Sequence, residues 1–313
     1  MNPVPRLGIG LPVYNGENFL AQSIEALLGQ TYQDFELIIT DNASNDGTEE
    51  ICRHYAARDA RVRYFRNRSN LGCAPNHNLA FQLSRSELFK WASHDDLYAR
   101  DLVRRCVEAL DEHPHAVAAH GWTAMIDGSG AVTRAIEYPL ATASPHAPER
   151  FRSMLFGNGG DDDGAVIRSE VLRRIAPLGS YHHADRTIVT ELALHGPFHQ
   201  VRDWLYFRRD HPDRAERACP TVRKRCANLD PRRADRLRHP VARLFAEYVW
   251  AYLAMIQRAP LSREQRRECR GHLVRWLASR ATRRSWGQVT DQPAAELDLA
   301  GFSVAAIVPG QSS

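Results

Sequence analysis

Residues 7–48 read LGIGLPVYNGENFLAQSIEALLGQTYQDFELIITDNASNDGT. The apolar run Leu7 to Val13 predicts a buried strand that ends in Pro12-Val13-Tyr14-Asn15. Leu20, Ile24, Leu27 and Leu28 then recur at i, i+4, i+7 and i+8, one apolar face of a helix. Phe35 to Thr40 is a second apolar run, and it ends in the polar loop Asp41 to Gly47. Strand, helix and parallel strand make a right-handed crossover, and ligands of such sheets sit beyond the carboxyl ends of the strands. Both loops fall at that edge.

The pattern continues outward. Asp46-Gly47-Thr48 opens a helix to about Ala57, Val62 to Phe65 is a third strand, and Asn70-Leu71-Gly72 is a turn before a helix near Asn76 to Leu83. Leu88 to Ala92 is a fourth strand, followed at once by Ser93-His94-Asp95-Asp96. A helix from about Ala99 to Glu112 stops ahead of Pro114. Four strand–helix units in about 110 residues predict an α/β fold with a doubly wound, mostly parallel sheet. Beyond it come short strands at Ala116 to His120, Trp122 to Ile126 and Ala165 to Ile167, helices near Ser169 to Ile175 and Asp185 to His195, and a strand through Trp204 to Phe207. From about Ala218 the chain reads as helical and Arg-rich.

Bulk composition narrows the class. The 313 residues are 43% hydrophobic with a net charge of +4, enough for a sizeable core and too little charge to name a partner. Cys52, Cys73, Cys106, Cys219, Cys226 and Cys269 show no zinc spacing and read as scattered thiols of a reducing compartment. The N-terminus lacks the pattern of a signal peptide, and no apolar run approaches the ~18 residues that span a bilayer. The expectation is a cytoplasmic protein that binds no nucleic acid.

Three loops carry chemistry. Tyr14 can lay its ring against a flat base. Nothing local needs a carboxylate at Asp41, which leaves it able to accept an N–H from a ligand; Asp46 can cap the following helix. Asp95 and Asp96 repel one another unless a cation lies between them, which is a reason to expect an ion.

Taken in order, Pro12-Val13-Tyr14-Asn15-Gly16-Glu17, Asp41-Asn42-Ala43-Ser44-Asn45-Asp46-Gly47-Thr48 and Ser93-His94-Asp95-Asp96 resemble the nucleotide-sugar site of family 2 glycosyltransferases, the inverting enzymes of the GT-A fold. The second loop resembles the family's DDxSxDGT element and the third its DxDD, with Ser93 replacing the first Asp. Asn70-Leu71-Gly72 with Asn76-His77-Asn78 resembles NxGxxxARN, with His77 at the Arg position. Tyr206-Phe207-Arg208-Arg209-Asp210-His211-Pro212 resembles the YRxH ending of such domains. The resemblance covers about residues 5–215. It implies a nucleotide-sugar donor held by Pro12, Tyr14, Glu17, Asp41, Asp46, His77, Ser93, His94, Asp95 and Arg209, and Mn²⁺ or Mg²⁺ on Asp95, with Asp96 second and His211 a further ligand. Arg209 would neutralise the departing diphosphate.

An inverting transferase also needs a base for the acceptor hydroxyl. The family takes it from an acidic residue opening a helix, often an E-D pair. Tyr181-His182-His183-Ala184-Asp185-Arg186 matches with Ala184 replacing Glu, so Asp185 is the candidate base; it can also serve as a helix-opening cap. Asp161, Asp162 and Asp163 are rivals. The implied organisation is a domain over 1–215, with a nucleotide half to about 115 and an acceptor half after it, then an Arg-rich helical region over 216–313.

The implied function is transfer of a sugar from UDP- or dTDP-sugar to a hydroxyl of a glycan, lipid-linked or small-molecule acceptor. The alternative is a catalytically impaired nucleotide-sugar-binding protein, which the Ser93 and Ala184 departures favour. A sugar-nucleotide pyrophosphorylase would need a basic Gly-rich loop after the first strand, and Tyr14 to Glu17 carry no Lys or Arg. Leu244, Tyr248, Tyr252 and Met255 recur at helical spacing near Arg223-Lys224-Arg225, Arg232-Arg233, Arg236 and Arg238. A basic amphipathic helix can lie peripherally on the inner face of an anionic membrane.

Overall fold

The computed structural model describes residues 3–136, 140–157 and 164–282. The chain runs β1 (Leu7–Val13), α1 (Leu20–Leu28), β2 (Phe35–Asp41), α2 (Thr48–Arg58), β3 (Val62–Arg66), α3 (Cys73–Gln82), β4 (Leu88–Trp91), β5 (Leu97–Tyr98) and α4 (Leu102–Glu112). It continues through β6 (Ala118–Ile126), β7 (Val132–Ile136), α5 (Ala147–Phe156), β8 (Val166–Arg168), α6 (Ser169–Leu172), α7 (Ala184–His195) and β9 (Phe198–Arg209). Four helices follow: α8 (Ala215–Ala218), α9 (Val222–Leu229), α10 (Val241–Arg258) and α11 (Arg263–Thr282). The strands form one sheet in the order β3-β2-β1-β4-β8-β6-β9-β5, with β7 beside β6.

The half built from β3, β2, β1 and β4 is wholly parallel. Parallel strands need cover on both faces, and β1 shows how one short run meets that demand. Leu7, Ile9, Leu11 and Val13 enter a core shared with Leu20, Ile24 and Leu27 of α1 and with Leu102, Val103 and Cys106 of α4. The alternating positions on the opposite face include Gly8 and Gly10. A Cβ at Gly10 would stand 2.9 Å from the Ala80 Cβ, so the missing side chain lets α3 lie close on the strand.

The second half is mixed. β8 runs antiparallel to β4 and β6, while β9 is parallel to β6 and antiparallel to β5. Two short strands were expected around Gly121, but β6 is one strand whose register slips between His120 and Trp122. A Cβ at Gly121 would meet the Leu205 side chain at 2.6 Å; the glycine marks close packing, not a chain break. β9 likewise extends well beyond the expected Trp204 to Phe207.

The basic tail does not present its apolar stripe to a surface. Leu244, Tyr248, Tyr252 and Met255 are the buried face of α10. Tyr248, Tyr252 and Met255 form a core with Phe151 and Leu155 of α5, Leu194 of α7, and Leu273 and Trp276 of α11. The buried Glu191 carboxylate clamps Arg258 at 3.0 and 2.9 Å. Those side chains are buried against the chain itself, so this stripe is not a surface offered to a membrane. No described helix is long and apolar enough to cross a membrane.

Candidate functional site

The first two loops are sewn together at the carboxyl ends of β1 and β2. Asn15 N–H donates to Ser44 Oγ (2.9 Å), Gly16 N–H to Thr48 Oγ1 (2.8 Å) and Glu17 N–H to Asp46 Oδ2 (3.2 Å). In return Asn45 N–H donates to Asn15 Oδ1 (3.1 Å) and Gly47 N–H to Glu17 Oε2 (2.7 Å). Asn15 and Ala43 sit at φ 52° and 63°. Asn tolerates that region, whereas for Ala it costs about 1 kcal/mol or more and persists only where surroundings enforce it. Within this frame Tyr14 is 44% exposed, its ring open to a flat partner. Pro12 is buried in β1 opposite Thr40, so its ring faces the interior and offers a ligand no exposed side chain.

Asp41 differs from expectation in one respect. It is fully buried, and its carboxylate accepts from Ser44 N–H (2.9 Å) and Tyr64 Oη (2.8 Å) and pairs with Arg66 (3.3 Å). The loop does need a carboxylate there, to fix its own turn. For Asp46, burial alone would raise the carboxyl pKa, but hydrogen bonds from Thr48 and Glu17 hold it below the ordinary range. Glu17 serves as the clasp between the loops.

The third loop is pulled onto β9. β5 pairs with Tyr206 and Phe207, which sets Ser93 to Asp96 against the strand end. A Cβ at Gly16 would touch the His94 ring at 2.6 Å, and Ser23 Oγ donates to the Ser93 carbonyl at 2.8 Å. His94 therefore packs on the first loop, and all three loops meet. Asp95 Oδ2 lies 3.0 Å from His211 Nε2. Burial pushes the Asp95 pKa up, yet the hydrogen bond from His211 and the nearby His94 and His211 bring it below the usual carboxylate range; His211 is raised in turn by Asp95.

Asp96 turns the other way. It is buried, with Tyr206 Oη donating to Oδ2 and Arg209 N–H to Oδ1 at 2.8 Å. Burial, reinforced by the Asp95 charge, pushes its pKa to about 7. The expectation of Asp96 as second metal ligand is corrected: both oxygens are spent on β9. Arg209 is corrected for the same kind of reason. Its side chain is 1% exposed, donating to the Asp95 carbonyl (2.8 Å), the Gly128 carbonyl (3.0 Å) and Gln22 Oε1 (2.9 Å), and it lies over the Phe19 ring. It is a buried cross-link, not a free cation facing a diphosphate. Arg209→Ala should therefore remove a buried side chain that cross-links three segments and packs on Phe19, and lower stability by about 2–4 kcal/mol. A urea midpoint within experimental error of wild type would contradict that placement.

A cation at Asp95 and His211 is chemically reasonable. Two ligands about 2.1 Å from an octahedral ion stand about 3.0 Å apart when adjacent, the separation found here. A carboxylate and an imidazole suit Mn²⁺, and Mg²⁺ commonly completes its shell with phosphate oxygens and water. His211 must first lose the proton on Nε2. Among the described residues no group of three His, Cys, Asp or Glu side chains converges, so the remaining ligands would come from substrate and solvent.

Two residues before Asp95, Ser93 reaches the wall of a cavity of about 240 Å³. Its wall includes Ser93, His77 and Asp185, three residues far apart in sequence that the fold brings together. His77 Nδ1 donates to the Cys73 carbonyl at 2.9 Å, which fixes the ring against α3. Asp185 is exposed in the first turn of α7. Asp161, Asp162 and Asp163 lie outside the described residues. Sequence reasoning missed Trp91, His183 and Arg225, which also line the cavity. His183 holds φ 54° immediately before α7, and burial next to His182 and Arg186 lowers its pKa to about 3, so it is neutral at pH 7. A left-handed residue is invisible in a His-His-Ala-Asp string.

The Glycosyl transferase family 2 model matches residues 9–175, more than half of the chain. The chain belongs to glycosyl transferase family 2. Among curated relatives, an uncharacterized glycosyltransferase of Rickettsia felis is 31% identical over 136 residues, 42% of this chain and 22% of that protein. One from Haemophilus influenzae is 32% identical over 127 residues, 41% of this chain and 50% of that protein. The matches thus span at most about half of these two relatives. The S. aureus TarS 1-349 structure in complex with UDP superposes with a TM-score of 0.59 at 15% identity, covering 88% of this chain and 73% of that one. A TarS complex with UDP-GlcNAc gives 0.52, covering 87% and 89%. At that identity the likeness shows the fold, a GT-A fold with added C-terminal helices.

Proposed function

We propose that the protein is an inverting glycosyltransferase that moves a sugar from a nucleotide diphosphate donor, UDP- or dTDP-sugar, to an acceptor hydroxyl with the help of Mn²⁺ or Mg²⁺. One observation carries the reading: the end of β4 and the first turn of α7 bring Ser93 and Asp185 to the wall of one cavity, and Asp95 follows Ser93 by two residues. TarS, a neighbour in fold, is known with UDP and UDP-GlcNAc, which agrees with a uridine donor.

In this reading Tyr14 stacks on the base and the buried Asp41, with Tyr64 and Arg66, shapes the loop that meets the base edge. Ser93 offers its hydroxyl to the ribose side, where the family has a carboxylate. Asp95 and His211 hold the cation, which when bound neutralises charge on the diphosphate oxygens. Asp185 accepts the acceptor's hydroxyl proton while that oxygen attacks the anomeric carbon. The new C–O bond forms as the bond to the diphosphate breaks, and the electron pair leaves with the nucleoside diphosphate. The domain boundary near residue 215 belongs to the same proposal, although α10 and α11 share a core with α5 and α7.

The test is release of nucleoside diphosphate from UDP- and dTDP-sugars with Mn²⁺. Release that stops in EDTA supports the reading; donor binding with no release under any metal would favour the impaired binding protein.

A further inference from the structure

The cavity that holds Ser93 and Asp185 is finished by the C-terminal region: Cys219, Arg225, Asn228 and Leu229 complete its wall. The contact with the nucleotide half is close. Gly72, at φ 94°, opens α3, and a Cβ there would run into the Leu229 carbonyl oxygen. α9 is thus seated directly on the turn before α3.

Most arginines around α9 are committed to the protein. Arg223 donates to the His239 carbonyl at 3.0 Å, Arg232 pairs with Asp230 at 2.8 Å, Arg233 with Glu247 at 2.7 Å, and Arg217 with Asp210. Arg225 differs. Its Nε donates to the Cys219 carbonyl at 3.1 Å, and among the described residues no carboxylate pairs with it. Arg225 and His183 line the same cavity, and, after burial, the Arg225 charge contributes to lowering the His182 pKa. A half-buried guanidinium in a concave site, with no bond to its terminal nitrogens among the described residues, is suited to a bidentate oxyanion. Arg209, the cation expected to meet the diphosphate, is occupied elsewhere.

We propose that Arg225 holds a phosphate oxyanion of the substrate in this cavity, an assignment that rests on the transferase reading above. The phosphate has two possible sources, the donor's diphosphate or a phosphorylated acceptor. Either way the C-terminal helices are part of the binding site, not an appendage to it.

Titration calorimetry on the full chain with Mn²⁺ separates the sources. Wild type, Arg225→Ala and Arg225→Lys are each titrated with UDP, dTDP and GDP, with the matching nucleosides, and with glucose 1-phosphate and glucose. Losing a charge-assisted contact to phosphate should weaken the affected ligand about tenfold or more, with partial recovery in Arg225→Lys and unchanged nucleoside and glucose binding. A loss confined to the nucleoside diphosphates assigns Arg225 to the donor; a loss confined to glucose 1-phosphate assigns it to the acceptor. A wild type that binds nucleoside diphosphate while a folded Arg225→Ala binds every phosphate as tightly overturns the assignment and leaves the transferase reading standing. A wild type that binds no phosphate ligand overturns both. Melting curves establish that each variant is folded, and Arg225→Gln replaces Arg225→Ala if the latter is not.

Discussion

Asp95→Ala should lose at least about 10³ in turnover, because a cation that neutralises a departing diphosphate is worth several kcal/mol of transition-state stabilisation. The fold should survive. The structural bond at this position is made by the Asp95 backbone carbonyl, which accepts from Arg209 Nε at 2.8 Å and remains in alanine. Among the described residues its side-chain partner is His211, at 3.0 Å. Nucleotide binding that depends on Mn²⁺ should vanish with it. Near wild-type activity at low Mn²⁺ would return Asp95 to a partner for His211 and nothing more.

Asp185→Asn should lower kcat by about 10²–10⁴, the usual worth of a positioned base, and leave donor affinity nearly intact. The substitution keeps shape. It removes one negative charge from the first turn of α7, a cost of about 0.3–1 kcal/mol in stability at most exposed sites, far below the catalytic effect. A kcat within threefold of wild type would move the search for the base to Asp161, Asp162 and Asp163.

The parallel half was legible because its signals are local. The apolar run LGIGLPV, the helical spacing from Leu20 to Leu28 and the polar loops after β1, β2 and β4 each decide their own element. The meeting of Asp95 with His211 was legible only through motif order, since β5 and β9 must pair before residues 116 apart in sequence touch. Arg209 and Asp96 misled for a physical reason. A charged residue at a strand end looks the same in sequence whether it faces a ligand or is desolvated against its neighbours, and here Tyr206, Gln22 and the Asp127–Gly128 turn claim both. Arg225 hid in the Arg223-Lys224-Arg225 run for the opposite reason. Only the folded contacts distinguish the three: Arg223 is bonded to the His239 carbonyl, Lys224 is exposed, and Arg225 lines the cavity.

The most direct measurement of the central claim is thermal shift of wild type and Asp95→Ala across UDP-, dTDP- and GDP-sugars, with Mn²⁺ and with EDTA. A ligand at 100 times its Kd adds about 2.7 kcal/mol by mass action, a shift that is readily seen. The account predicts a rise in wild type with UDP- or dTDP-sugar that requires Mn²⁺ and is absent in Asp95→Ala. No rise with any nucleotide sugar, or an equal rise in EDTA and in the variant, would contradict it.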